Sequence, residues 1–215
     1  MTRPTSKLDS IGEKVRSYFT TEDSAREKGL RLSRESIRFS ANAIRAVHRG
    51  EYDQARELIN SSQANVEEMS SVLAQHGELL HGGFVHNAQK EYAEACITLA
   101  LVSGQALPDP DDLGISYAAY LNGLGEAAGE LRRHLLDTLR EGRVNRCEEI
   151  LDAMDDIYSL LVTIDFHDAL TGGLRRTTDM VRGVLERTRG DFTISLRQEE
   201  LEQKLEDFGD KLNKR

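Results

Sequence analysis

Tryptophan is absent from this sequence, and its prolines stand only at positions 4, 108 and 110. With helix breakers confined to one end and one short loop, long helices can run almost anywhere else. The two cysteines, Cys96 and Cys147, lie inside helix-spaced apolar patterns and lack CxxC spacing. That excludes a disulfide framework and a cysteine zinc site, and leaves buried thiols in a reducing compartment. No apolar run approaches the length of a membrane span, and the N-terminus carries no signal-peptide core. A cytoplasmic location without a membrane partner is expected. Strand-like alternation of β-branched residues is missing too, as are a glycine-rich phosphate loop and any serine or cysteine nucleophile motif.

What is present is charge on helical spacing. Charged residues make up 30% of the 215, with a net charge of -9. This argues against bulk attraction to nucleic acid, although a local basic face can sit on an acidic chain. The apolar periodicity predicts an all-α protein of about seven helices. Residues 1–22 read as a leader with a short amphipathic piece (Leu8, Ile11, Val15, Tyr18, Phe19). A helical domain follows over 23–192, and 193–215 reads as a C-terminal helix lying on the domain or on a neighbouring subunit. Thr20 or Thr21 is placed as the cap of a first long helix that ends at Gly50. Further helices are expected at about 51–76, 84–103, 115–141, 144–170 and 174–188, with Ser195 and Gln198 forming the capping box of the last. The acidic loop Pro108–Asp112 separates the third from the fourth.

The helix over 84–103 holds the central conflict. From Glu91 to Val102 it carries only two charges, Glu91 and Glu94, in an otherwise apolar or small segment. Such a helix is buried on all sides. The two carboxylates fall on one side of it, and buried carboxylates need a metal, a cation or a proton beside them. The next helix repeats the pattern: Glu126 and Glu130 are the only charges between Ile115 and Leu131. Gly123, Gly125 and Gly129 in that stretch each cost about 1 kcal/mol of helix propensity, which points to close approach of another backbone or a ligand. If the two faces meet, Glu91, Glu94, Glu126 and Glu130 surround one pocket suited to a hard cation such as Mg2+ or Mn2+. A di-iron bundle would want two Glu-x-x-His pairs. One exists, Glu78 to His81, and it runs into Gly82-Gly83.

Arginine, rather than lysine, dominates the basic residues of three helices. Arg31, Arg34, Arg38, Arg45 and Arg49 fall within an arc of roughly 60° on the first long helix. Arg132 and Arg133 begin a second basic stretch, and Arg175 and Arg176 a third. Planar guanidinium groups suit bidentate phosphate recognition, so Arg31, Arg34, Arg38, Arg45, Arg132 and Arg133 are candidate nucleic-acid contacts. Aromatic interleaving is sparse, which favours backbone-led binding over base stacking. The histidines show no catalytic grouping. His134 follows Glu130 by four residues, and Asp165-Phe166-His167-Asp168 reads as end-capping.

Three segments resemble a known family. Gln89-Lys90-Glu91-Tyr92-Ala93-Glu94-Ala95 is similar to the QEYVEA helix of the translin/Trax family. Tyr120 to Leu131 resembles that family's Y-L-x-G-x-x-D-x-x-G-E-L helix, and Leu32 to Arg38 its basic first long helix. The resemblance spans residues 20–190 and looks most like archaeal members. It implies a translin-type bundle of about seven helices that assembles into a closed, octamer-like homo-oligomeric shell enclosing RNA. For a Trax-type member it implies Mg2+-dependent endoribonuclease activity on single-stranded RNA or RNA processing intermediates. Glu91, Glu94 and Glu126 would then be the metal-binding catalytic acids, with Glu130 supporting. For a translin-type member it implies non-catalytic binding of single-stranded RNA or single-stranded DNA. Position 126 carries Glu where the family pattern has Asp, a methylene that moves the carboxylate by about 1.5 Å.

Overall fold

The computed structural model describes residues 5–213, and every regular element among them is helical. Residues 1–4 of the expected leader and 214–215 of the last helix lie outside the described residues. The elements are α1 (Leu8–His48), α2 (Tyr52–Leu73), α3 (Gly77–Leu80), α4 (Gly83–Ser103), α5 (Pro110–Leu113), α6 (Tyr117–Arg140), α7 (Val144–Thr163), α8 (Asp168–Thr171) and α9 (Leu174–Asn213). Six are long, and α3, α5 and α8 are single turns inside connections.

Two expected boundaries are absent. Thr20 and Thr21 do not cap a helix; their hydroxyls donate back to the Arg16 and Ser17 carbonyls at 2.8 and 3.2 Å, inside a continuous α1. Ser195 does the same toward the Asp191 carbonyl at 3.1 Å, inside a continuous α9. A hydroxyl cannot stop a helix whose next turn is available; it takes the i−4 carbonyl instead. The positions 22/23 and 192/193 therefore fall mid-helix. Elsewhere the local signals hold. Ser116 accepts from the Ala119 amide at the start of α6, Asp109 from the Asp111 amide at α5, and His167 Nδ1 from the Ala169 amide at α8.

α4 and α6 are the middle of the molecule. α1 packs on α2 and α4, while α6 packs on α4, α7 and α9. Every residue of α4 from Tyr92 to Ala100 is buried. The main core unites Ile97, Leu124, Leu131, Leu135, Met154 and Leu161 from the central and distal helices. A smaller cluster of Leu32, Met69, Leu73 and Val85 lies where α1, α2 and α4 meet. Close α1–α2 contact is allowed by serines: the Ser62 hydroxyl bonds those of Ser36 and Ser40 at 2.7 and 2.9 Å, all three buried. Both cysteines are buried and free, and burial pushes the Cys96 thiol up to about 12.

The two long helices project beyond this core. Leu8, Ile11, Val15, Tyr18 and Phe19 are exposed on α1, as are Ile194, Leu201, Leu205 and Phe208 on α9. At 100° per residue, the α9 set lies roughly opposite buried Phe192. It points away from the chain's own bundle. Among the described residues, no helix is long and apolar enough to cross a membrane.

Candidate metal centre

Gly123 sets the distance between the two acid-bearing helices. A Cβ placed there would lie 2.6 Å from the Lys90 carbonyl oxygen, 2.8 Å from Ala93 Cβ and 3.0 Å from the Glu94 amide nitrogen. Only hydrogen fits, so α6 lies directly against the turn of α4 that carries Glu91 and Glu94. Gly125 serves α9 similarly, since a Cβ there would collide with the Thr177 methyl. Gly129 meets nothing, so its helix-propensity cost has no packing explanation here.

One turn beyond Gly123, Glu126 faces the α4 pair. One carboxylate oxygen from each of Glu91, Glu94 and Glu126 lies within 4.8 Å of the others. Glu94 is buried, and Glu91 and Glu126 are half-buried. Burial, then the charges of Glu91, Glu126 and Glu130, raise the Glu94 pKa to about 8 against an opposing pull from Lys90. Burial also raises Glu91. Three oxygen donors from two rigid helices form a hard set that fits Mg2+ or Mn2+ and suits zinc or copper poorly.

The chain's own cation also reaches this cluster. Lys90 Nζ donates to Glu126 Oε1 at 2.6 Å and stands 3.6 Å from Glu91 Oε1. Burial pulls the Lys90 pKa down, but the hydrogen bond to Glu126 and the surrounding carboxylates outweigh it and leave it raised. The protein thus balances its acids with a lysine at Glu91 and Glu126 and with a proton on Glu94. Sequence reasoning passed over Lys90. Its one signal was position i−4 to Glu94, and the side chain crosses to α6 instead.

Glu130 stands outside the trio. Its Oε2 accepts from His48 Nε2 at 2.5 Å and lies 3.8 Å from Arg133, so its carboxylate is committed to α1. The His48 hydrogen bond holds its pKa low despite burial. Glu130 acts on the trio only through its charge. His134 sits with its ring 6.5 Å from that of His48, on the same side as Glu130. Glu78 and His81 are exposed around α3 and take no part.

The six candidate arginines divide sharply. Arg31 meets Glu35 at 3.5 Å, Arg45 bonds Asn42 at 2.7 Å, and Arg132 bonds Thr188 and Asp191 at 3.1 and 2.7 Å. Arg133 is shared with Glu130. Among the described residues, Arg34, Arg38 and Arg45 of the six have no acidic partner, and only Arg34 and Arg38 also lack a side-chain hydrogen bond; Arg38 lies 5.4 Å above the Phe39 ring. These two occupy the α1 face opposite buried Leu32, Ser36, Ala43 and Val47, turned away from the bundle.

No family model matches the chain. It is 30% identical over 190 residues to an uncharacterized protein of Methanocaldococcus jannaschii, covering 87% of this chain and 84% of that one. The structure of AfC3PO in complex with duplex RNA superposes with a TM-score of 0.81 at 30% identity, covering 86% of this chain and 96% of that chain. AfC3PO is a translin/Trax-family protein. The chain belongs to the translin/Trax family. Apo-NeC3PO, at 19% identity and a TM-score of 0.72 over 91% of this chain and 98% of that one, shares the fold. For this translin/Trax chain, two of the three segments that carried the resemblance are the helix faces that meet: Gln89–Ala95 on α4 and Tyr120–Leu131 on α6.

Proposed function

We propose that this translin/Trax protein binds RNA and cleaves it with Mg2+ or Mn2+ held by Glu91, Glu94 and Glu126. The carrying observation is the convergence of three carboxylate oxygens within 4.8 Å in a half-buried site. A divalent cation bound there supplies a Lewis acid for the phosphoryl oxygen and lowers the pKa of a coordinated water. The chain's residues do the rest. Glu94, once deprotonated, would be one of the three ligands. Lys90 brings a second positive charge beside the phosphate. Glu130, fixed by His48, keeps a negative charge behind Glu94 without entering the donor set. The duplex RNA complex of the similar AfC3PO supports RNA as the ligand class, and the family resemblance favours single strands. The exposed apolar stripes of α1 and α9 support a homo-oligomer, with the octamer-like shell as its expected form.

Labelled single-stranded and duplex RNA, incubated with Mn2+, Mg2+ or EDTA, test this directly. Cleavage should require the metal, and Glu91→Gln should slow it by at least about 100-fold. Cleavage that persists in EDTA, or that Glu91→Gln leaves unchanged, contradicts the reading.

One observation favours the alternative of a non-catalytic RNA- or DNA-binding shell: Lys90 already engages Glu126 at 2.6 Å, where a cation would otherwise sit. Both readings expect phosphate binding through the unpaired arginines. Replacing Arg34 and Arg38 by alanine should weaken RNA binding and reduce the slope of log affinity against log salt by about 1.4 to 1.8. An unchanged slope would remove these two from the interface.

A further inference from the structure

Beside the acid trio, where α6 meets the α8–α9 turn, a groove of about 590 Å3 is lined by His86, Lys90, Glu126, Gly172, Arg176 and Met180. We propose that this groove seats one phosphodiester-linked nucleotide of the RNA next to the scissile position, with Arg176 as its phosphate contact. The proposal rests on the nuclease reading and adds a determinant that neither the sequence motifs nor the acid site supplies.

Three observations carry it. The groove and the trio share a wall: Lys90 and Glu126 line both, so a ligand here touches the acid site directly. Its volume falls within the range of small-ligand sites and exceeds what a few ordered waters need.

Arg176 supplies the recognition. It is exposed and, among the described residues, pairs with no carboxylate. Its neighbours are engaged: Arg175 lies 3.6 Å from Asp165, and Arg182 bonds Glu186 at 3.1 Å. A free guanidinium presents a planar fork to a phosphate. Arg176 brings the groove to near neutrality, since Lys90 is held by Glu126, Asp168 adds one negative charge, and burial and then Lys90 lower the His86 pKa. A near-neutral groove with one unengaged arginine suits a singly charged diester better than a multiply charged free phosphate. Half-exposed Met180 and the Gly172-Gly173 backbone offer an apolar surface for the base.

The wall is also built to hold its shape. Gly172 adopts φ +62°, and a Cβ there would lie 2.7 Å from His86 Cε1, so glycine alone lets the turn close over His86. Buried Asn122 pins both sides of the turn. Its amide donates to the Thr171 and Ala118 carbonyls, each at 2.8 Å, and its oxygen accepts from the Thr177 hydroxyl at 2.6 Å.

Binding of a short fluorescein-labelled RNA, followed by anisotropy in EDTA, separates this site from the chemistry. Arg176→Ala should weaken binding by about 10-fold, and Met180→Glu, which puts a carboxylate in the groove, by a similar factor. Arg175→Ala, one residue away and already paired, should bind as the unaltered protein does. With Mn2+ present, Arg176→Ala should raise KM for cleavage and leave kcat within a factor of about three. Equal affinity for Arg176→Ala and unaltered protein overturns the groove assignment, whether or not RNA is cut. Equal loss in Arg175→Ala and Arg176→Ala overturns it too, by making the effect one of general charge. RNA bound in an Arg176-dependent way but never cleaved supports the groove and counts against the nuclease reading alone.

Discussion

Replacing Glu94 by glutamine should stabilise the protein and abolish its reaction with metal. The folded Glu94 carboxyl has a pKa of about 8, against an ordinary 4.5. Between those values the folded chain keeps a proton that the unfolded chain has released, so the group's contribution is complete below pH 4.5 and is lost as pH rises through 8. At pH 7 that loss is on the order of 3 kcal/mol, and glutamine, neutral at every pH, avoids it. The melting temperature of Glu94→Gln in EDTA should exceed that of the unaltered protein by several degrees at pH 7, with the gap shrinking toward pH 5. In the same variant Mn2+ binding should vanish and cleavage should fall by at least about 1,000-fold. For the unaltered protein, Mn2+ affinity should rise by roughly tenfold per pH unit from 6 to 8, because ligation displaces the Glu94 proton. Calorimetry, Mn2+ titration across that range and an RNA cleavage assay read these outcomes. A destabilised Glu94→Gln at pH 7 would show that the carboxylate is not held in a costly site.

Lys90→Met should produce the second large effect, lowering stability without metal and raising the affinity for it. The substitution leaves Glu91 and Glu126 without their cation while preserving most of the aliphatic stem. Both partners of the Lys90–Glu126 bridge are partly open to water, at 18% and 33% side-chain exposure, so the cost in EDTA should be about 2 kcal/mol rather than the larger cost of a fully buried pair. With Mn2+ the deficit narrows by about 1.4 kcal/mol for a tenfold gain in affinity. Lysine no longer competes for Glu126, and the variant should bind metal about tenfold more tightly and gain more thermal stability from it. The comparison also separates the two functional readings. If only Lys90→Met binds Mn2+, the lysine is the permanent occupant and the natural protein is a binder. If both bind, with the variant tighter, Lys90 is a displaceable partner of a working metal site.

The fold class was legible residue by residue. Scarce proline, the glycines at positions 50 and 104, and a charge-poor segment from Glu91 to Val102 are local facts, and helix formation and burial respond to local facts. Both glycines do adopt positive φ at helix ends, and α4 is buried on every side. The two failed boundaries were failures of strength. Thr20, Thr21 and Ser195 are competent caps, but a cap ends a helix only where the chain gains nothing by continuing. At both places the continuing helix carries an exposed apolar stripe.

The acid trio was legible for a different reason. Two apolar helices with paired glutamates state a conflict that folding has to resolve, and Gly123 marks where their backbones touch. The sequence by itself placed Glu91, Glu94, Glu126 and Glu130 on two apolar helices, because helix phase follows from residue order, but it did not separate Glu130 from the other three. Only the tertiary structure decided how their charge is balanced and where the free cations lie. Lys90 reaches Glu126 across 36 residues of sequence, His48 claims Glu130 across 82, and Asn122 fixes the turn beside Arg176 from another helix. Hydrogen bonds and ion pairs act over a few ångströms and ignore sequence separation. Which arginine is spent on a neighbouring carboxylate, and which remains free for phosphate, is therefore settled by the packing.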